Sequence, residues 1–172
     1  MQAVDINNLT TLAKKAEPTT RILFNKIKRR PPRNLDSIVH DLHATAFENF
    51  DCLQCANCCK TISPRITDND IDKLAKHLKI KPSKLVEQYL YLDSDGDYVV
   101  QQTPCPFLGS DNYCAVYEHR PRACREYPHT DRRKFYQLLP ITLKNTYICP
   151  VVYKVVELLK LSLSQQYTII DD

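Results

Sequence analysis

Glycine is nearly missing from this 172-residue chain: Gly96 and Gly109 are the only two. Loops that cradle phosphates need glycine where the backbone closes on the ligand. Neither a GxGxxG nor a GxxxxGK motif is present, which removes those two modes of nucleotide binding. Long apolar runs are missing as well. No stretch approaches the 18 or so apolar residues of a membrane span, and residues 1–8 lack the basic-then-apolar order of an export signal. The sequence therefore predicts a cytoplasmic protein that meets no membrane, in a compartment that keeps thiols reduced. No Ser/His/Asp grouping or paired carboxylates argue for hydrolysis. The segment Asp93-Ser94-Asp95-Gly96-Asp97 looks like a calcium loop but puts Tyr98 where glycine is required and Pro104 where glutamate is required, so a turn is expected there.

Cysteine, by contrast, is plentiful and unevenly placed. None of the 8 cysteines lies in residues 1–51, and four fall between positions 52 and 59. In a reducing compartment such clustering points to metal rather than to disulfides. The apolar content of 43% is ordinary, and a chain of this length buries about 70% of its unfolded surface, so a metal is not needed merely to have a core. The formal charge of +4 would be cancelled by two four-thiolate zinc sites, each of net charge about −2. The basic excess thus reads as counter-charge to the cluster. The run Lys26-Ile27-Lys28-Arg29-Arg30-Pro31-Pro32-Arg33 reads as a solvated helix end whose cations suit the C-terminal dipole, and nucleic acid is not expected as a partner.

The pattern of apolar residues predicts a mainly helical α+β fold. Its centre is a small irregular cysteine-rich metal core with one or two short strands, flanked by helices. Residues 1–50 form a helical extension, broken at Glu17-Pro18 and at Pro31-Pro32. Beyond the second break Asp36 caps a helix carrying Ile38, Val39, Leu42, Ala46, Phe47 and Phe50. The metal domain spans 51–163 and a tail spans 164–172. Within it, Thr67-Asp68 begins a helix to Leu78, and Pro82 opens another ending near Tyr91. Tyr98–Val100 and Tyr113–Tyr117 read as short strands. Pro121 starts a helical turn, and Pro150 opens a helix with Val151, Val155, Leu158, Leu159 and Leu163 as its apolar stripe.

Cys52, Cys55 and Cys58 follow one another at two-residue gaps, the spacing of a bacterial ferredoxin run, and proline follows both Cys105 and Cys149; these features favour [4Fe–4S]. The adjacency of Cys58 and Cys59 pulls toward zinc, because neighbouring side chains rarely reach one tetrahedral ion, and eight thiolates divide into two four-thiolate sites. Zinc and iron both stay open at this point. His40, His43, His77, His119 and His129 add further potential ligands, of which His119 and His129 flank Cys124. Arg120 and Arg125, in an arginine-rich stretch, are expected to support the anionic site. Tyr117 and Tyr127 stand near enough in sequence to donate hydrogen bonds.

The set C-x2-C-x2-C-C at Cys52–Cys59, then Cys105-Pro106-Phe107-Leu108, then Cys114-Ala115-Val116-Tyr117-Glu118-His119-Arg120-Pro121-Arg122-Ala123-Cys124-Arg125-Glu126-Tyr127-Pro128, resembles the YkgJ-type cysteine-cluster proteins. The resemblance covers roughly residues 50–155. It implies a zinc- or iron-chelating domain with ligands at Cys52, Cys55, Cys58, Cys59, Cys105, Cys114 and Cys124, joined by Cys149. It supplies no activity. A related cluster occurs in flagellin lysine-methylases of the FliB type, which use an iron–sulfur cluster and S-adenosylmethionine; this chain is much shorter and shows no cofactor loop. Three functions therefore compete: a structural metal module that serves a protein partner, an iron–sulfur redox or protein-modifying enzyme, and a zinc-supported nucleic-acid binder. The last lacks the exposed aromatics of a stacking platform.

Overall fold

The computed structural model describes residues 6–48, 50–164 and 166. In chain order these form helices α1 (Ile6–Arg29), α2 (Leu35–Phe47), α3 (Cys52–Cys55) and α4 (Asn57–Thr61), then strand β1 (Arg65–Ile66). Helices α5 (Asp68–Leu78) and α6 (Pro82–Tyr89) lead into strands β2 (Leu90–Leu92) and β3 (Tyr98–Val100). A 3₁₀ turn at Tyr117–His119, helix α7 (Arg122–Glu126) and a second 3₁₀ turn at Phe135–Gln137 precede α8 (Leu139–Asn145) and α9 (Pro150–Leu163). The architecture is mainly helical α+β, as the sequence predicts. Among the described residues no helix is long and apolar enough to cross a membrane. By its internal packing the chain divides into two compact units, one formed from 1–51 with 128–172 and the other from 52–127.

In the first unit the break expected at Glu17-Pro18 does not occur: α1 continues through Pro18. A proline inside a helix removes one backbone bond and costs about 3 kcal/mol against alanine. Here the buried stripe Leu9, Ala13, Thr20, Leu23, Phe24 and Ile27 continues on both sides of it. Each large apolar side chain so buried contributes roughly 1.5–3 kcal/mol, so packing wins over propensity. Next to the proline, the Ala16 carbonyl accepts from Thr19 Oγ1 (3.0 Å), Thr20 Oγ1 (2.8 Å) and Lys160 Nζ (3.1 Å). Because Pro18 is itself exposed, Pro18→Ala should stabilise this unit by about 1–3 kcal/mol, read as a higher urea midpoint at unchanged slope.

Asp36 is not the cap of α2. The N-cap position is Asn34, without a side-chain cap bond. Asp36 instead accepts the backbone N–H of Lys134 (2.7 Å) and of Phe135 (2.9 Å), tying α2 to the second 3₁₀ turn. Phe135 thereby enters a core with Leu23, Ile27, Val39, Val152, Val155 and Leu159, all 0–1% exposed. The stripe foreseen on α9 is the one that is buried, apart from Leu158.

The second unit is built round α5 and a three-stranded antiparallel sheet in the order β1-β3-β2, with Arg65 opposite Val99 and Leu90 opposite Val100. The turn expected at 93–97 is present: Asp93 Oδ1 accepts from the N–H of Asp95 (2.9 Å) and of Asp97 (3.0 Å). Gly96 adopts the left-handed conformation there. Tyr91 belongs to β2 rather than to α6. Tyr113–Tyr117 is not a strand, since among the described residues one bridge, Leu108 to Cys114, pairs this stretch. The core comprises Ile66, Ile71, Leu74, Ala75, Leu85, Leu90, Val100, Phe107 and Val116, with Cys105 and Cys114 packed against it.

Candidate metal centre

The cysteine run is folded as two single turns. Cys52 and Cys55 bracket α3, and Cys58 and Cys59 sit in α4. Between them Ala56 takes a left-handed conformation (φ 46°). An alanine pays about 1–2 kcal/mol for that, and the reversal lets the chain re-enter helix at once. The Ala56 N–H donates to the Cys52 carbonyl (2.7 Å), and the Ile62 N–H to the Cys58 carbonyl (2.9 Å). The Cys105 N–H donates to the Cys59 carbonyl (2.8 Å), which fastens the Cys-Pro segment to the run.

From Cys105 the chain makes a tight loop. The Leu108 N–H donates to the Cys105 carbonyl (3.0 Å), and the Gly109 N–H to the Tyr113 carbonyl (2.7 Å). A Cβ on Gly109 would stand 2.6 Å from Asp111 Oδ1, so a larger residue here would make the exposed Asp111 side chain swing aside. The loop returns Cys114 beside Leu108.

Cys124 lies in α7, whose start is held from a distance. Asp70, 2% exposed, accepts Thr67 Oγ1–H (2.6 Å) and the Thr67 N–H (3.2 Å) on Oδ2. Its Oδ1 accepts the Arg122 N–H (3.0 Å). One carboxylate thus closes the capping box of α5 and anchors the cysteine helix. The Thr-x-x-Asp pattern at Thr67–Asp70 signals the box, but nothing local to Asp70 points to Arg122, and the sequence reading did not single it out. Asp70→Ala should destabilise this unit by about 2–4 kcal/mol, from a lost cap plus stranded donors. Thermal unfolding measures this, and Asp70→Asn should fall in between.

The electrostatics show which thiols share one neighbourhood. Cys58 and Cys59 Sγ lie 4.0 Å apart. The Cys59 thiol is brought down to about 7, first by a hydrogen bond from Cys58 and further by Arg120 and Lys60, against its burial. Burial pushes the Cys105 and Cys114 thiols up, and the charge of Cys59 adds to it in both. The Cys124 thiol is pushed up to about 12 by burial, then by Cys59, Cys105 and Cys114, with Arg120 opposing. Four thiols drawn from three stretches of chain therefore act on one another.

Arg120 acts electrostatically on Cys59, Cys114 and Cys124. Arg120 Nε donates to the Tyr117 carbonyl (2.7 Å), and its guanidinium lies 3.4 Å over the Tyr117 ring. Arg125 donates to the Arg120 carbonyl. Arg122 instead pairs with Glu126 (2.7 Å). His119 stacks on His77, with ring centroids 4.1 Å apart. Cys149 belongs to the first unit, where it stands at the N-cap position of α9 and packs against that unit's core.

As the side chains stand, no three Cys, His, Asp or Glu residues among those described are arranged to hold a metal ion. The donor set nevertheless suits a soft or borderline cation. Tetrahedral zinc with Zn–S bonds of ~2.3 Å places its sulfurs about 3.8 Å apart, close to the 4.0 Å between Cys58 and Cys59. Adjacency alone therefore does not force these two thiols into separate sites. A cation among the thiols would also offset the burial, and the charge of the neighbouring cysteines, that push the Cys124 thiol up, with release of protons on binding.

The pattern that defines the family described as "CxxCxxCC: Putative zinc- or iron-chelating domain" matches residues 51–147. The chain belongs to this cysteine-cluster family. Zinc or iron, the pair left open by the donor set, is also the pair in the family's description, and membership supports metal binding through the cysteines. An uncharacterized protein of Methanocaldococcus jannaschii is 29% identical over 84 residues, which cover 47% of this chain and 45% of that protein. The match thus spans a little under half the length of that relative. No solved structure matches the chain.

Proposed function

We propose that residues 52–127 bind one zinc or iron centre through the thiolates of Cys59, Cys105, Cys114 and Cys124, with Cys58 beside them and Cys52 and Cys55 on the same pair of turns. The observation that carries this reading is the bond from the Cys105 N–H to the Cys59 carbonyl (2.8 Å), which fastens the Cys-Pro loop to the cysteine run, while burial and the neighbouring cysteines push the Cys105, Cys114 and Cys124 thiols up. Such a set gains most from a cation, because the positive charge offsets the burial and the mutual repulsion that oppose each thiolate. A closed four-thiolate site is structural rather than catalytic, and on this reading the centre holds a surface for a protein partner in the cytosol.

The test is protein purified without oxygen, with its zinc, iron and acid-labile sulfide counted per chain and its visible spectrum recorded. A colourless protein with zinc in whole-number stoichiometry supports the structural centre. Strong visible absorption with matched iron and sulfide would replace it by an iron–sulfur cluster. Paired thiols without metal would end the proposal.

A further inference from the structure

Outside the cysteine unit, α2 carries two histidines held in an uncommon way. His40 and His43 are three residues apart and so share one face of the helix. His40 Nδ1 lies 2.5 Å from Asp131 Oδ1, and His43 Nδ1 lies 2.8 Å from Thr130 Oγ1. Two consecutive residues thus take the same nitrogen of each ring, and Nε2 is the nitrogen outside these bonds. The His43 ring is further fixed by Phe47, at a centroid distance of 4.5 Å, and Thr130 is buried at 1% exposure. Asp131 acts electrostatically on both rings, and Asp41 adds its charge at His40.

A ring nitrogen bonded to a carboxylate or another oxygen, with the second nitrogen directed to an ion, is the usual arrangement of a metal-bound histidine. The oxygen partner fixes tautomer and orientation and makes the imidazole more basic. Imidazole suits borderline divalent ions such as zinc, nickel and copper. We propose that His40 and His43, oriented by Asp131 and Thr130, form a sulfur-free site for a divalent transition ion, its remaining coordination completed by water. Asp131 serves as a positioning residue, since its carboxylate is already engaged by His40. This site lies in the first unit and does not depend on the cysteine reading.

The experiment adds zinc to the full chain, its cysteine-bound metal already counted, and follows the histidine ring signals by NMR. The rings of His40 and His43 should shift together and saturate at one added zinc per chain, while those of His77 and His119 stay in place. His40→Ala, at an exposed position, should abolish the shift of His43 at that stoichiometry. Asp131→Asn should weaken zinc binding roughly 10–100-fold in a protein whose other ring signals are unchanged. Cys124→Ser should leave the response intact, which separates this site from the cysteine centre. A shift of one ring alone, a response that does not saturate at one equivalent, or unaltered binding in His40→Ala would overturn the proposal.

Discussion

Serine in place of Cys124 should leave the purified protein with its metal largely lost. Of the proposed ligands, Cys124 has the thiol pushed furthest up, to about 12, by burial and by three neighbouring cysteines. A hydroxyl there offers zinc or iron a far poorer ligand than a thiolate. Structural zinc binding is worth about 10–16 kcal/mol at neutral pH, so one ligand in four carries ~3 kcal/mol, roughly a hundredfold in affinity. The measurement is metal per chain after equilibration with a competing chelator, with Cys149→Ser as the comparison. Undiminished metal in Cys124→Ser would remove Cys124 from the site. A pH series adds a sign. In the metal-free protein, Cys124 has a folded value near 12 against an ordinary 9.0. Its contribution to stability is therefore full below about pH 9 and is lost as the pH rises toward 12. Metal affinity runs the other way and increases with pH, because binding must displace the same protons.

Stripping the metal should unfold one part of the chain far more than the other. The unit of 52–127 has a core of small extent, built on Ile66, Ile71, Leu74, Leu85, Val100 and their neighbours. Its cysteine segments are short turns: α3 spans 4 residues and α4 spans 5. Turns of that length have no stability of their own. A binding energy of about 10–16 kcal/mol is comparable with the whole stability of a domain, about 5–15 kcal/mol. The unit formed by α1, α2, α8 and α9 instead rests on long helices and a core of fully buried Leu23, Ile27, Phe135, Val152, Val155 and Leu159. Amide hydrogen exchange before and after chelation reads the difference. Protection should fall by orders of magnitude in 52–127 and persist in α1 and α9. Equal loss in both units would show that the metal holds the entire chain together, and no loss in either would make it a passenger.

Much of this protein was legible from its residues because the signals are local. The capped start at Thr67 and the proline-led starts at Pro82 and Pro150 each act within one turn of backbone, and the helices begin there for that reason. The cysteine spacing and the Cys105-Pro106 and Cys114-to-Cys124 motifs identify the family. Three readings went astray where a partner distant in sequence intervened. Pro18 sits inside α1 because an apolar stripe on both sides of it is buried. Asp36 leaves its cap because the N–H groups of Lys134 and Phe135, 98 and 99 residues away, take its oxygens. Tyr113–Tyr117 has a strand's composition but, among the described residues, no neighbour to pair with beyond one bridge. By itself, then, the sequence determined the family, the helical character and the thiols available to a metal. Only the tertiary structure decided that 128–163 packs with α1 and α2, that Asp70 anchors the helix of Cys124, and that Cys59, Cys105, Cys114 and Cys124 act on one another. Hydrogen bonds and charges at such separations exist only once the chain is folded, and no local spacing encodes them.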